Sequence, residues 1–159
     1  MIHLADKNDF SALLAIINDA AVAYKPILPQ VHWHEPYMPE EELSRQIAAG
    51  VRFYCLSDAE EIAGVMGFQD KAEVQLIRHA YVRSTHQGRG IGGTLLRYLI
   101  GQSDKPLLVG TWKKAVWAIG FYEKHGFVQV GDAESARLLE KYWNIPQWHA
   151  ETSLVLELR

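Results

Sequence analysis

The run Gln87-Gly88-Arg89-Gly90-Ile91-Gly92-Gly93 separates a strand-like segment, Glu73 to Arg83, from a helix-like one, Ile91 to Ile100. A strand that feeds a helix through glycines confines the chain to folds that set helices against a sheet. The same junction makes an anion site. Glycine lets the main chain come close to a ligand, and the first helical turn leaves N–H donors unpaired at the positive end of the helix dipole. A diphosphate suits such a place. Gly88, Gly90 and Gly93 also fit the dinucleotide fingerprint, which needs a βαβ unit and an acid about twenty residues on to hold a ribose. The following strand, Leu107 to Trp112, ends without that acid, and the loop lies midway along the chain instead of opening it. The Walker pattern fails because no Lys-Ser or Lys-Thr follows the glycines.

At 159 residues and 48% hydrophobic, the chain has material for one domain with a substantial core. Its net charge of −3 supplies no general basic field, so neither nucleic acid nor an anionic membrane surface is an expected partner. Any anion is held locally. No leader pattern opens the chain and no unbroken apolar run of about eighteen residues occurs, so a soluble, cytoplasmic protein is expected. Cys55, the only cysteine, rules out an intrachain disulfide and suits a reducing compartment.

Met1 to Ala5 reads as a short strand, and Asp6 or Asn8 as the cap of a helix with Phe10, Leu13, Leu14, Ile17, Ala21 and Tyr24 on one face, ending before Pro26. Lys25 to Pro39 holds four prolines around His32, Trp33, His34, Glu35 and Tyr37, and is expected to be a loop rich in recognition groups. A helix follows from Pro39 to Gly50. Val51 to Leu56, Ile62 to Phe68 and the strand from Glu73 read as an antiparallel meander. The order then becomes strand, glycine loop, helix, strand Leu107 to Trp112, helix Lys114 to His125, strand Phe127 to Val130, a βαβαβ-like half. A short helix over Ala136 to Tyr142, a turn at Ile145-Pro146 and a strand from Thr152 to Leu158 complete the reading.

These residues resemble the GNAT N-acetyltransferase superfamily. Gln87, Gly90 and Gly92 fit its Gln/Arg-x-x-Gly-x-Gly/Ala loop, and Ala118-Ile119-Gly120-Phe121-Tyr122-Glu123-Lys124-His125-Gly126-Phe127 is similar to its Ala-x-x-Phe-Tyr-x-x-x-Gly-Phe helix and strand. The element order agrees over nearly the whole chain. The resemblance implies an α/β fold with a mixed, mostly antiparallel sheet flanked by helices, whose splayed strand pair takes acetyl-CoA as cosubstrate. It implies that main-chain groups of Ala80, Tyr81 and Val82 pair with the pantetheine arm. It further implies that N–H groups from Gly88 to Gly93, through Gly90, Ile91 and Gly92, hold the diphosphate, with Gln87, Arg89 and Thr94 beside them.

The implied chemistry is direct attack of a primary amine, from a small molecule or a peptide, on the thioester carbon. Tyr122 matches the tyrosine that faces the cofactor sulfur and is expected to act as general acid; a backbone N–H at Tyr81 or Val82 is expected to polarise the carbonyl. Two positions depart from the family. Ala115 replaces an Asn that often contacts the cofactor, and Leu76 stands where many relatives carry a Glu base. Glu73, His79, His34 and Glu35 are the alternatives for that base, and His79 has the most suitable ordinary pKa, near 6.5. Trp33, His34, Glu35 and Tyr37 are expected to line the acceptor site. His32-x-His34-Glu35 lacks a distant third ligand, so no metal is expected. Cys55 reads as a small buried core residue, not a nucleophile. The alternative function is a CoA-binding sensor with little catalysis, and a homodimer is the expected assembly.

Overall fold

The computed structural model describes residues 1–159. A hairpin of β2 (Val51–Asp58) and β3 (Glu61–Asp70) turns through Ala59 and Glu60, with Ala59 at φ 59°. β1 (Ile2–Leu4) pairs outside β2, and β4 (Gln75–Val82) pairs along β3, all antiparallel. The meander is thus present, with β2 and β3 each running about a turn's width further than the alternation suggests. β3 is buried continuously from Ala63 to Gln69 because helices cover both of its faces.

Strand alternation sorts the core into those two faces. Tyr54, Met66, Phe68, Ile77, Val109 and Leu156 pack with α3 (Ile91–Gln102) and α4 (Val116–Lys124). Val51, Phe53, Cys55 and Val65 lie opposite, under α1 (Phe10–Ala21) and α2 (Glu40–Ala48). On that second face Leu76, Leu108 and Val155 meet α5 (Asp132–Tyr142).

Asp6, not Asn8, caps the first helical turns. Its carboxylate accepts from the Asn8 N–H at 2.8 Å while its own N–H donates to Asp9, a reciprocal box. α1 stops at Ala21 and the chain tightens into a 3₁₀ stretch from Val22 to Ile27, which accommodates Pro26. Helical turns from Lys7 to Ile27 are long and apolar enough, at mean hydropathy 1.2, to meet a length-and-composition criterion for crossing a membrane. In the fold they are three separate pieces, and Leu13, Ile16, Ile17 and Ala21 are spent on the sheet. The proline-rich segment is not free loop: Asn18 on α1 accepts from the Met38 N–H at 2.7 Å and donates to the Met38 carbonyl at 3.1 Å.

β4 and β5 (Leu107–Trp112) are the parallel pair expected of a strand, helix, strand crossover. The last strands depart from the expected order. β7 (Ser153–Leu158) inserts between β5 and β6 (Val128–Gln129), so the sheet runs β1-β2-β3-β4-β5-β7-β6 and the βαβαβ half never closes into adjacent strands. α5 starts four positions before Ala136, and a short α6 (Gln147–Glu151) follows Pro146 where only a turn is expected. Five residues are too few to show a helical period.

Gly64 on β3 is the contact that seats the glycine loop's helix. A Cβ there would stand 2.6 Å from Ile91 Cγ2 and 3.3 Å from Leu95 Cδ1, and a β-branched side chain at a helix start has little freedom to withdraw. Gly64→Ala is expected to lower stability by about 1–3 kcal/mol. Gly101→Ala, on the same helix with nothing within 4 Å of its Cβ, is expected to raise it by about 0.5–1 kcal/mol. Urea titration of both variants checks the pair; equal effects would mean that the β3 and α3 backbones part freely.

Candidate active site

β4 and β5 share a register only from Gln75 to Ile77 against Leu107 to Val109. Beyond it β4 stays with β3 as far as Val82, and β5 stays with β7 as far as Trp112. A fork opens between them, and a cleft of about 880 Å³ runs through it. Arg83 N–H donates to the Ala63 carbonyl at 2.8 Å, so alternation turns the main chain of Tyr81 toward β3 and that of Ala80 and Val82 toward the fork. Of the main-chain groups expected to meet the pantetheine arm, Ala80 and Val82 are therefore the two turned toward the fork, the Val82 carbonyl already accepting from the Gln87 side chain. Tyr81 contributes its ring instead.

At one mouth of the cleft stands the start of α3. Gly88 and Gly90 have φ of 80° and 76°, and Gly90 is the residue from which the helix begins. The first helix-closing bond runs from the Thr94 N–H to the Gly90 carbonyl, which leaves the N–H groups of Ile91, Gly92 and Gly93 without a helical acceptor. Gln87 lines the cleft, its amide 3.4 Å from the Val82 carbonyl. Arg89 and Thr94 do not line it. Arg89 reaches out to Asp58 at 3.1 Å on the surface, and the Thr94 hydroxyl bonds back to the Gly90 carbonyl at 2.9 Å. The positive side chains at this mouth are Arg97 and Lys124, neither of which the loop motif contains, and the rings of His86 and His125 line it as well. Arg97 follows Gly93 by one helical turn, the spacing that would have pointed to it.

Deeper in the fork lies Tyr122, 5% exposed, edge-on to Phe121 at 5.1 Å and to Phe127 at 5.6 Å. Burial, with Tyr24 nearby, pushes its phenol well above the ordinary tyrosine range, so it keeps its proton at any working pH. Burial acts in the same direction on Tyr24, Tyr37 and Tyr81. Their rings converge with two tryptophans: Tyr24 lies 6.3 Å from Tyr37, 6.2 Å from Tyr81, 6.5 Å from Trp112 and stacks at 5.9 Å on Trp117. Trp112 stacks on His149 at 4.2 Å. The second mouth is therefore aromatic.

The other expected site residues fall in different places. Tyr37 lines the cleft. Trp33 packs behind it at 5.8 Å, Glu35 accepts from the Trp33 ring N–H at 3.0 Å on the surface, and His34 is tied to the Pro36 carbonyl at 2.9 Å. Glu73 is not in β4 at all: it sits on the preceding turn, exposed, paired with Lys141 at 3.3 Å and away from the cleft. Leu76 is fully buried beneath α5, and Ala115 packs against Leu28 and Trp112. Cys55 lies in the core under α1, with burial pushing its thiol up to about 12.

His79 does line the cleft, in a way no pattern foretells. Two β3 steps, Val65 to Gly67, face three on β4, Tyr81 to Arg78, and the extra residue is His79 with φ 53°. Its ring lies between Phe53 and Tyr81, with Nε2 2.5 Å from the Gln46 amide oxygen. Burial, then the Arg78 charge, lowers its pKa to about 3, which makes it a poor base near neutrality. The same two causes lower His149 to about 4. No Asp or Glu lines the cleft.

The sheet forked at its parallel pair thus brings unpaired helix-opening donors and a protonated phenol to one cleft. The sequence pattern described as "Acetyltransferase (GNAT) domain" matches residues 17–139, and the chain belongs to that family. Among solved structures the fold is similar to the ribosomal-protein-S18-alanine N-acetyltransferase of Escherichia coli, at TM-score 0.72 and 18% identity over 99% of this chain and 92% of that one. It is also similar to PaiA N-acetyltransferase of Thermoplasma acidophilum in complex with coenzyme A, at TM-score 0.71 and 15% identity over 100% and 99% of the two chains. A GNAT family acetyltransferase from Elizabethkingia anophelis with acetyl-CoA bound matches at TM-score 0.65 and 20% identity over 100% and 97%. At these identities the likeness is one of fold.

Proposed function

We propose that residues 1–159 form one acetyl-CoA-dependent N-acetyltransferase domain that acetylates a primary amine by direct attack in a ternary complex. The observation that carries this reading is the fork itself, which brings the open N–H groups of Ile91, Gly92 and Gly93 and the phenol of Tyr122 to one cleft. Acetyl-CoA supplies the thioester carbon that the amine attacks and the thiolate that leaves. The α3 donors hold the diphosphate, with Arg97 and Lys124 adding charge at the same mouth. Val82 and Ala80 present main-chain groups to the pantetheine arm and the carbonyl. Tyr122 gives its proton to the departing sulfur as the C–S bond breaks, water takes the proton lost from the new amide nitrogen, and Tyr122 recovers a proton from that water, so no net charge is left on the protein. The aromatic mouth receives the acceptor, Tyr37 being the residue that the proline-rich segment contributes.

One observation favours a second reading. At its acceptor end the cleft has no carboxylate, and His79 and His149 are poor bases there; a CoA-binding sensor would not need a base. Calorimetry with acetyl-CoA, followed by thiol release across an amine panel, separates the two: heat of binding with release supports the enzyme, and binding without release on any amine supports the sensor. A cytoplasmic location and a homodimer belong to the reading on the strength of the family resemblance, and light scattering tests the latter.

A further inference from the structure

At the aromatic mouth the balance of charge is one-sided. Arg78 precedes the β4 bulge on the same face of the strand as Leu76, where β4 parts from β5, and it lines the cleft. Its Nη1 donates to the Gln69 side-chain oxygen at 3.0 Å, and no carboxylate of the protein lies within 4.0 Å of it. Burial and the Arg78 charge hold the nearby His149 imidazole neutral, so it adds no second positive charge there. Tyr24, Tyr37, Trp112 and Trp143 line the same cleft, and Trp112 stacks on His149.

A guanidinium has five donors in a rigid fork, and Gln69 takes one of them. A half-buried cation without an anionic partner is costly, and an arriving carboxylate, gripped by two parallel N–H donors, relieves that cost. An acceptor with a second cation gains nothing, because no Asp or Glu of the cleft would offset repulsion from Arg78. The diphosphate is not a competing explanation, since its donors open α3, which packs on the opposite face of the sheet from Leu76.

We infer that the acceptor is an amine bearing its own carboxylate on an apolar or aromatic body, an amino-acid-type substrate, and that Arg78 binds that carboxylate. This rests on the acetyltransferase reading above for the word acceptor, but not for the binding site. Arg78 is a specificity residue: it orients the acceptor and leaves the reacting atoms to others.

The test uses the full chain and the proteinogenic L-amino acids alongside their decarboxylated amines, tryptophan against tryptamine and phenylalanine against phenethylamine among them. Thiol release is measured with acetyl-CoA, and equilibrium binding of the same compounds is measured by calorimetry with CoA present. At least one apolar amino acid is expected to bind and react better than its decarboxylated amine. Arg78→Gln, which keeps an N–H donor on that side chain but removes the charge, is expected to raise KM for that amino acid by about tenfold to a hundredfold with kcat and acetyl-CoA affinity little changed, and to leave KM for the matching amine unaltered. Arg78→Lys should recover part of the loss, and thermal unfolding of both variants shows that each is folded. An amino acid that binds through Arg78 without thiol release from any amine would refute the acetyltransferase reading and uphold the carboxylate site. Amines preferred over their amino acids, no amino acid bound, or a KM ratio untouched by Arg78→Gln would overturn the inference.

Discussion

Tyr122→Phe is expected to reduce kcat by about two to four orders of magnitude, the usual range for loss of a positioned proton donor, while the acetyl-CoA dissociation constant stays within about twofold. The substitution removes one oxygen. The ring keeps its edge-on contacts with Phe121 and Phe127, so the helix and the cleft should stand unchanged. Because burial holds the phenol protonated across the working range, the ratio of wild-type to variant rates should be the same at pH 6 and at pH 9. Stopped turnover with intact calorimetric binding would support proton donation to the leaving sulfur. Equal turnover would remove Tyr122 from the chemistry and leave it a packing residue.

Acetyl transfer is expected to rise about tenfold per pH unit from pH 6 until the acceptor's own amine pKa, then level off. Only a neutral amine has a lone pair to attack with, and an α-amine with pKa near 8 is only about 1% neutral at pH 6. The cleft offers little help on the acceptor side. His79 and His149, held near 3 and 4, are already neutral there and titrate below the range, Arg78 stays charged, and no carboxylate is present. Loss of protons from these groups therefore adds no step between pH 5 and 8, and the rise follows the substrate. Two acceptors of different amine pKa decide it: their plateaus should differ by the difference in their pKa values. A common plateau would mean that the protein supplies the base after all, with His86 and His125 at the cofactor mouth the next to substitute.

Much of this was readable from neighbours along the chain. The apolar face of α1, the alternation of β2 and β3 and the glycines before α3 are local patterns whose consequences do not depend on distant segments. The family resemblance, carried by Gln87 to Gly92 and Ala118 to Phe127, pointed to the same cleft. Arg89 and Glu73 show where local reading stops. Each is placed by chain position beside the expected site, yet one is drawn to Asp58 on the β2–β3 hairpin and the other to Lys141 on α5, partners 31 and 68 residues away. The proline-rich segment had the right composition for recognition, but of Trp33, His34, Glu35 and Tyr37 only Tyr37 reaches the cleft.

Local pattern settled most of the helices and strands, α6 excepted, and the unpaired N–H donors that open α3, because both follow from side-chain periodicity and backbone freedom within a few residues. Three-dimensional packing settled the rest: β7 lodged between β5 and β6, the fork that begins after Ile77, and the one-residue bulge that turns His79 into the cleft. Whether a strand residue faces core, cleft or solvent hangs on register with a partner far along the chain, and a single extra residue reverses it. That is why Arg78, unremarked in the linear order, emerges beside the aromatic mouth only after folding.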